Sequence, residues 1–377
     1  MLTSLLALAL ASVAHAWTAD EPWRTVETDH YRIHYPLDSE AWALDLAGRI
    51  DAMRDRVAPV VGWQPEKRTE VIVMDPWGQA NGFAVPFARM PLMGVFPTAP
   101  GAGSGIGNYR LWAEDLVVHE DAHLLHLGRP SRNAFEKIFY DGILGVPAIA
   151  AKSPAWVIEG YATLVEGILT GAGRPNSDGR ATFLRTLARE GQLPSYDELD
   201  GSPRWRGRSM RYLVGSAYLE WLAHNHGDQA LPDLWARMTA KELRTFDEAF
   251  EGVFGDSAPD LYGRFLAELT AGALSVERTD DNTRFIDLQG EVGAPASSPD
   301  GKKVAVVRSQ ESGPSQLVVY GVAVDAEAQE EREEELAKML KKDPLDVRPV
   351  DTGLQPHEEL WVRTHGGRSA KDVRWID

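Results

Sequence analysis

The chain has 377 residues, of which 44% are hydrophobic and 25% are charged, so it excludes an intrinsically disordered protein and predicts two or three packed domains. The formal net charge of −17 argues against a nucleic-acid-binding protein, because such proteins concentrate Lys and Arg to neutralise phosphates. The chain has no cysteine, which excludes disulfides, cysteine-ligated zinc and thiol nucleophiles. Any metal site must therefore use His, Asp and Glu.

The first residues form a short apolar run that ends in small side chains around Ala14 and Ala16. This pattern is typical of a secretory signal peptide at residues 1–16, with cleavage expected after Ala16. A transmembrane anchor is the competing interpretation, but the run is far shorter than the roughly 20 residues that a spanning helix needs. We therefore expect a periplasmic or secreted protein without a membrane span after cleavage.

The segments that follow predict a small mixed sheet. Alternating apolar and polar residues predict a strand from His30 to Tyr35, a helical pattern comes next, and Thr69–Asp75 is typical of a buried strand. After a loop at residues 81–82, the apolar run Leu92–Phe96 predicts another strand. Glycines at alternate positions in 101–107 lack the flanking strand and helix of a phosphate-binding loop, so this segment is expected to be a flexible linker or lid.

The pattern from Arg110 to about Leu274 is helical, and one helix carries the sequence His-Glu-x-x-His. With 3.6 residues per turn, the imidazoles of His119 and His123 lie on one face, one turn apart, where they can share a cation. Glu120 lies about 100° around the helix from His119. From there its carboxylate can reach a metal-bound water rather than the metal itself.

A catalytic zinc site needs three protein ligands and an open fourth position, so this helix leaves one ligand to be found. The candidate is Glu159, in a second helical segment. The chain between His123 and Glu159 is long enough for a loop and a return. A second helix can therefore cross the first and bring the carboxylate to the imidazole pair.

The two motifs together resemble those of the peptidase MA-like gluzincins, the second motif being Pro154, Trp156, Glu159, Gly160 and Ala162. The resemblance covers about residues 21 to 270, starting with a stretch that looks like the family's first strand. It implies a thermolysin-like zincin fold, one Zn²⁺ bound by His119, His123 and Glu159, and peptide hydrolysis with Glu120 as general base. The chain departs from the family pattern at Asp121, where an uncharged residue is usual; this side chain points about 200° from His119 and needs a partner if buried.

The resemblance also implies a phenol that stabilises the oxyanion. Tyr212, in a stretch that looks like the family's later Tyr-x-x-Gly helix, is the candidate, although a core role stays open and other candidates lie nearby: Tyr218, His224 and His226. His126 is expected to pack or to support the site, because three ligands already suffice. Glu166 lies two turns after Glu159 and either supports a ligand or lies on a solvated face.

The remaining residues, 276–377, predict an all-β region. Residues 297–309 combine a Ser-Pro-Asp-Gly turn with an alternating strand, 316–320 continue as its hairpin partner, and a weaker echo occurs at 371–377. These repeats resemble part of a TolB-like beta-propeller. A charged helix is predicted between them at about 325–343. Because one blade cannot bury both its faces, we expect an incomplete propeller region, with a small closing β-domain as the alternative.

The sequence thus predicts an α+β protein with a signal peptide at 1–16, a gluzincin domain at 17–275 and one incomplete propeller blade at 276–377. The predicted function is that of an exported zinc peptidase, whose peptide or protein substrate adds to an edge strand around Leu92–Phe96. The C-terminal β-region is a candidate surface for a protein partner. Two alternatives stay open: a catalytically inactive periplasmic binding or assembly module, and a zinc amidase acting on cell-wall peptide.

Overall fold

The computed structural model describes residues 22–75, 78–101, 104–200, 209–276, 285–286, 295–308, 315–349, 354–364, 373 and 375. The predicted signal peptide lies outside the described residues, as does the repeat echo at 371–377 apart from residues 373 and 375. The chain divides into two compact units, the first ending at Ser275 and the second beginning at Val276.

The first unit opens with a five-stranded mixed sheet in the order β1-β2-β3-β5-β4. Its strands are β1 (Trp23–Glu27), β2 (Tyr31–Pro36), β3 (Thr69–Val73), β4 (Gly82–Val85) and β5 (Leu92–Val95). β2, β3 and β5 run parallel, whereas β1 and β4 each pair antiparallel with their neighbour. Alternate side chains of β2 and β3 are fully buried, as the two sequence patterns predicted.

Two predictions about this sheet are wrong at its edge. Residue Gly82, predicted to lie in a loop, begins strand β4, and β4 is the edge of the sheet. The run Leu92–Phe96, predicted as the edge strand, supplies β5, which lies between β3 and β4. The sequence of β4 is short, starts with glycine and is half-buried throughout, so its pairing depends on packing that local propensity does not report.

Helices account for most of the rest of the unit. α1 (Glu40–Ala47) and α2 (Ile50–Val61) connect β2 to β3, with a 3₁₀ turn at Leu37–Ser39. The predicted helical region after residue 110 is confirmed, and it contains α3 (Trp112–Leu127), α4 (Ala134–Glu136), α5 (Ala148–Lys152), α6 (Ala155–Thr170), α7 (Asp178–Arg189), α8 (Met210–His226), α9 (Ala230–Met238), α10 (Phe246–Phe254) and α11 (Ala258–Ser275). A π-helical segment, Lys137–Leu144, continues α4 directly, and a second 3₁₀ turn lies at Tyr196–Glu198.

Two glycines let α6 and α8 cross at close range. A Cβ on Gly160 would lie 2.7 Å from the carbonyl carbon of Gly215, and a Cβ on Gly215 would lie 2.8 Å from the carbonyl oxygen of Trp156. Only glycine tolerates such backbone contact. The crossing fixes the position of α6, and with it the position of Glu159, which directly precedes Gly160.

The second unit contains a four-stranded antiparallel sheet in the order β6-β7-β8-β9. Its strands are β6 (Ala296–Ser297), β7 (Lys303–Arg308), β8 (Gln316–Val324) and β9 (His357–Thr364). Helix α12 (Ala326–Lys342) lies between β8 and β9 in the chain, and its side chains are exposed or half-buried. The sheet is a single one, so its assignment to a propeller stays a prediction.

None of the helices in the described part of the chain combines the length and the apolar character that crossing a membrane requires.

Candidate metal centre

Helices α3 and α6 bring three metal-ligating side chains together. The Nε2 atom of His123 lies 3.3 Å from Oε2 of Glu159, and Nε2 of His119 lies 3.9 Å from the same oxygen. One ligand atom from each of the three residues lies within 4.8 Å of the others. Tetrahedral ligands at the usual zinc distances of about 2.0–2.1 Å are separated by about 3.4 Å, so the two distances to Glu159 are close to those of a zinc site. Separations up to 4.8 Å mean that the three side chains must move slightly closer together to bind one ion.

Glu166 orients the ring of His119. Its side chain is only 1% exposed, and its Oε2 atom lies 3.0 Å from Nδ1 of His119. The Nη2 atom of Arg174 also lies 3.0 Å from this Nδ1 atom. If Nδ1 carries the proton, the ring donates it to the carboxylate and keeps Nε2 free for a cation, the usual arrangement behind a metal-bound histidine. The solvated-face alternative for Glu166 is therefore wrong, and the supporting alternative is the one its contacts bear out.

Arg174 completes this arrangement, and no motif predicted it. Its Nη2 atom donates to Oε2 of Glu166 at 2.7 Å, and its backbone N–H donates to Oε1 at 2.7 Å. The turn before it needs Gly173, which has a φ of 71° and whose Cβ would lie 2.5 Å from Oε1 of Glu166. In the sequence, the glycines just before Arg174, Gly171 and Gly173, were the one local indication that this turn passes close to Glu166.

Tyr212 lies at the same centre. Its ring is stacked against that of His119, with centroids 6.4 Å apart, and the guanidinium of Arg174 lies 4.8 Å from its centroid. Burial, and then the negative charge of Glu159, raises the pKa of the Tyr212 phenol, so the phenol keeps its proton at neutral pH. Such a phenol can donate a hydrogen bond into the cleft.

The three other candidates for the oxyanion residue lie elsewhere. Tyr218 is fully buried, and its hydroxyl donates to the carbonyl oxygen of Ala258 at 2.8 Å. His226 packs against the ring of Phe254, and His224 lines a separate surface hollow. Of the four candidates, Tyr212 is therefore the one that the structure brings to His119, His123 and Glu159.

Glu120 faces the cleft beside β4. It is 5% exposed, and a Cβ built on Gly82 would lie 2.8 Å from its Oε1 atom. Burial, together with the charge of Glu159, raises the pKa of Glu120 to about 7. A carboxyl group with such a pKa can both accept and return a proton near neutral pH. Gly82 is thus a residue of the site that sequence reasoning placed in a loop.

The protonation states of His119 and Glu159 suit metal binding, which requires a neutral imidazole and an ionised carboxylate. Burial, with the charge of Arg174, lowers the pKa of His119 to about 4. Burial opposes ionisation of Glu159, but the hydrogen bond and charge of His123 hold its pKa at about 2. Burial lowers the pKa of His123, but Glu159 raises it by more. Because metal binding requires a neutral imidazole, a cation competes with a proton for His123.

Asp121 points to the opposite side of α3, where one of its two buried carboxylate oxygens has a hydrogen-bond partner. Its Oδ2 atom accepts a hydrogen bond from the phenol of Tyr31 on β2. Burial raises the pKa of Asp121 to about 6, while this hydrogen bond and the nearby Arg54 lower it. The departure from the family pattern therefore leaves the ligand face of the helix untouched.

His126 packs as expected rather than joining the ligands. The side chain is 1% exposed, and its ring lies 5.0 Å from that of Tyr161 and 4.0 Å from that of Trp235.

The centre opens into a cleft of about 280 Å³. Strand β4, helices α3, α6 and α8 and the loop that holds Arg174 form its walls, with side chains that include Phe83, His119, Glu120, Ile158, Glu159, Arg174 and Tyr212. Among the described strands, β4 pairs only with β5, so its outer edge is free. A free edge beside a metal centre can accept an extended chain by strand addition.

No family model and no curated protein matches this chain. Among solved structures, the chain is similar to a two-domain M1 zinc metallopeptidase bound to L-tryptophan, at 18% identity and a TM-score of 0.39, covering 65% of this chain and 51% of that one. It is also similar to an M1 zinc metallopeptidase from Deinococcus radiodurans bound to a Tyr-Ser-Ala substrate, at 17% identity and a TM-score of 0.39, covering 65% of this chain and 51% of that one. Native yeast LTA4 hydrolase matches at 10% identity and a TM-score of 0.37, covering 66% of this chain and 38% of that one.

This chain thus spans about half the length of the M1 structures. The likeness is coarse, so the chemistry of the site rests on the site's own geometry.

Proposed function

We propose that the chain is a zinc-dependent peptidase in which His119, His123 and Glu159 hold one Zn²⁺ ion and Glu120 is the general base. One observation carries the proposal: the two imidazoles and the carboxylate converge at ligand spacing, with a second carboxylate beside them, in a cleft that opens along a free strand edge. Each of these features alone is common in proteins. Their combination is what metal-assisted hydrolysis requires.

The residues of the chain have distinct tasks in this reaction. When bound, a zinc ion polarises the scissile carbonyl and lowers the pKa of water. Glu120 accepts the proton of the attacking water and delivers it to the leaving amine. Tyr212 donates a hydrogen bond to the oxygen on which negative charge develops. The free edge of β4 binds the substrate backbone, which favours an extended peptide over a compact small molecule.

The substitutions Glu120→Gln and Glu159→Ala test the proposal. We expect Glu120→Gln to retain zinc and to lose peptide turnover, because the carboxylate is a base and not a ligand. Glu159→Ala should lose zinc affinity as measured by competition with a chelator. Glu114→Gln is the matched control, since this residue lies on the same helix and its carboxylate pairs with Arg56.

Three results would redirect the assignment. Full turnover by Glu120→Gln would contradict the role of the general base. Zinc-loaded protein that cleaves no member of a peptide library would favour the inactive binding or assembly module. Cleavage of peptidoglycan fragments in preference to that library would favour the amidase.

We also propose that the activity resides in residues 17–275 and that the protein is exported, with residues 1–16 removed. N-terminal sequencing of the protein recovered from a periplasmic or culture fraction tests export, and it should begin at Trp17. Recovery of the intact N-terminus from every fraction would contradict this proposal.

A further inference from the structure

Helix α4 and the π-helical segment that continues it hold large apolar side chains out into solvent. Five of them are 39% to 69% exposed, and we call them the apolar ridge: Phe135, Ile138, Phe139, Ile143 and Leu144. The rings of Phe135 and Phe139 lie parallel, with centroids 6.2 Å apart. Clustered apolar exposure of this kind marks a binding surface more often than scattered single residues do.

The segment is pinned to the protein by its polar side. The buried carboxylate of Glu136 accepts hydrogen bonds from Ser131 at 2.7 Å and from Lys152 at 2.8 Å. The ammonium group of Lys152 also donates to the carbonyl oxygen of Met238 at 2.7 Å. An amphipathic helix usually turns its apolar side inward. Here the ion pair between Glu136 and Lys152 fixes the opposite orientation, so the apolar ridge faces solvent and is accessible to a partner.

The ridge is joined to the cleft by a backbone contact. The N–H of Ala88 donates to the carbonyl oxygen of Gly145 at 2.9 Å, and Gly145 directly follows the ridge. Ala88 lies three residues beyond Val85, the last residue of β4. The chain turns between the two, where the N–H of Phe87 donates to the carbonyl oxygen of Val85 at 2.8 Å, so the end of β4 and this contact are at most about three extended residues, or about 10 Å, apart. A chain that occupies the cleft along β4 is therefore within reach of the ridge.

We propose that the apolar ridge binds an apolar stretch of the polypeptide substrate, several residues away from the bond held in the cleft. This inference rests on the proposed peptidase function and deepens it. Unfolded and unassembled proteins expose clustered apolar side chains on an accessible backbone. The substrate class is thus unfolded or extended polypeptide with clustered apolar residues. The formal charge of −17 disfavours an anionic membrane surface as the partner.

Internally quenched peptides test the inference on the zinc-loaded full chain. All peptides share one core sequence that contains the cleaved bond. Each peptide extends this core by one arm, either on the N-terminal or on the C-terminal side. At four to eight residues from the cleaved bond, the arm carries either three apolar residues or three serines. We expect the better-placed apolar arm to raise kcat/KM about tenfold over the serine arm, through KM, since two or more side chains are buried. The double variant Ile138→Gln and Ile143→Gln should abolish this difference and leave turnover of the bare core unchanged.

The control is Leu44→Gln on α1, which removes an apolar side chain of similar exposure, 48%, away from the ridge. It should keep the arm effect. Equal cleavage of the apolar-arm and serine-arm peptides by the unmodified protein overturns the ridge proposal, and so does a difference between them that survives in the double variant. In both cases, cleavage of the core still supports the peptidase proposal. If the core is not cleaved at all, the peptidase proposal fails, and anisotropy of labelled arms decides the ridge: equal binding of apolar and serine arms overturns it. Ridge-dependent binding to phosphatidylcholine vesicles, or ridge-dependent dimerisation, without an arm effect assigns the surface to another partner and overturns the proposal too.

Discussion

Gly82 is the point at which strand β4 passes the carboxylate of the proposed general base. A Cβ at this position would lie 2.8 Å from Oε1 of Glu120 and 2.4 Å from Cδ1 of Leu116. Optimal carbon contacts lie at about 3.5–4.0 Å, so Gly82→Ala forces a displacement on the order of 1 Å. Leu116 is 4% exposed and has little room to yield. Overpacking of this kind costs about 1–3 kcal/mol of unfolding free energy.

The same displacement should be larger in its effect on turnover than on stability. Moving a positioned catalytic group by about 1 Å costs on the order of 100-fold in rate, so we expect kcat for peptide cleavage to fall by about that factor. Zinc affinity should stay unchanged, because the three atoms nearest to the new methyl group belong to Leu116 and Glu120 and to none of the three proposed ligands. Peptide kinetics, chelator competition and denaturant unfolding, all on the same preparation, measure the three quantities.

Gly128→Ala is the matched control, at the far end of α3. Its Cβ would lie 3.3 Å from the ring of Trp63 and 2.3 Å from the carbonyl oxygen of Leu124, so it crowds the same helix away from the cleft. We expect it to lower stability and to leave kcat of the folded protein unchanged. Turnover by Gly82→Ala at the rate of the unmodified protein would refute the close approach of β4 to Glu120.

Four further substitutions test the surroundings of the centre. Glu166→Gln removes the charge behind His119, and zinc affinity measured by chelator competition should fall about 10- to 100-fold; unchanged affinity would exclude an orienting role. Tyr212→Phe should lower kcat by about 100- to 1,000-fold at unchanged zinc affinity, and an undiminished kcat would remove Tyr212 from the mechanism. Arg174→Lys removes the guanidinium that lies over the ring of Tyr212, so as a single substitution it should lower kcat. The same substitution should lower kcat less in a protein that already carries Tyr212→Phe. Additive losses of kcat would contradict this coupling between Arg174 and Tyr212. Tyr31→Phe should cost about 1–3 kcal/mol of unfolding free energy in metal-free protein at pH 8 and less at pH 5. The reason is that the phenol stabilises the ionised form of Asp121, which predominates only above its pKa of about 6. An equal cost at both pH values would contradict that role of the phenol.

The part of the site that lies within one helix could be predicted because helical geometry is local. The spacing of His119 and His123 fixes their common face whatever the rest of the fold does. The third residue is different, since Glu159 reaches the pair only because α6 crosses α8 at Gly160 and Gly215. The sequence carries that information as small residues in two motifs, and its meaning follows from the resemblance rather than from spacing.

The parts that escaped prediction depend on contacts between distant segments. Whether β4 or β5 forms the sheet edge is decided by pairing, and both segments are short, apolar and contain glycine. The role of Gly82 follows from that order, because Gly82 on the edge strand lies against Glu120. Arg174 belongs to a loop whose path is set by hydrogen bonds to Glu166, and an arginine in a glycine-rich turn has no pattern of its own.

Asp121 shows how one residue can look like a defect in a motif and still serve the site. Helix α3 is held on its cleft face by the contact of His119 with Glu166, and on its opposite face by the contact of Asp121 with Tyr31. Rotation of the helix about its axis would break both contacts at once. The orientation of the two imidazoles is therefore fixed from both faces, which metal ligands need in order to meet a carboxylate from another helix. A buried carboxylate is costly unless it is paired, and here the pairing fixes the helix that carries the two proposed ligands, His119 and His123.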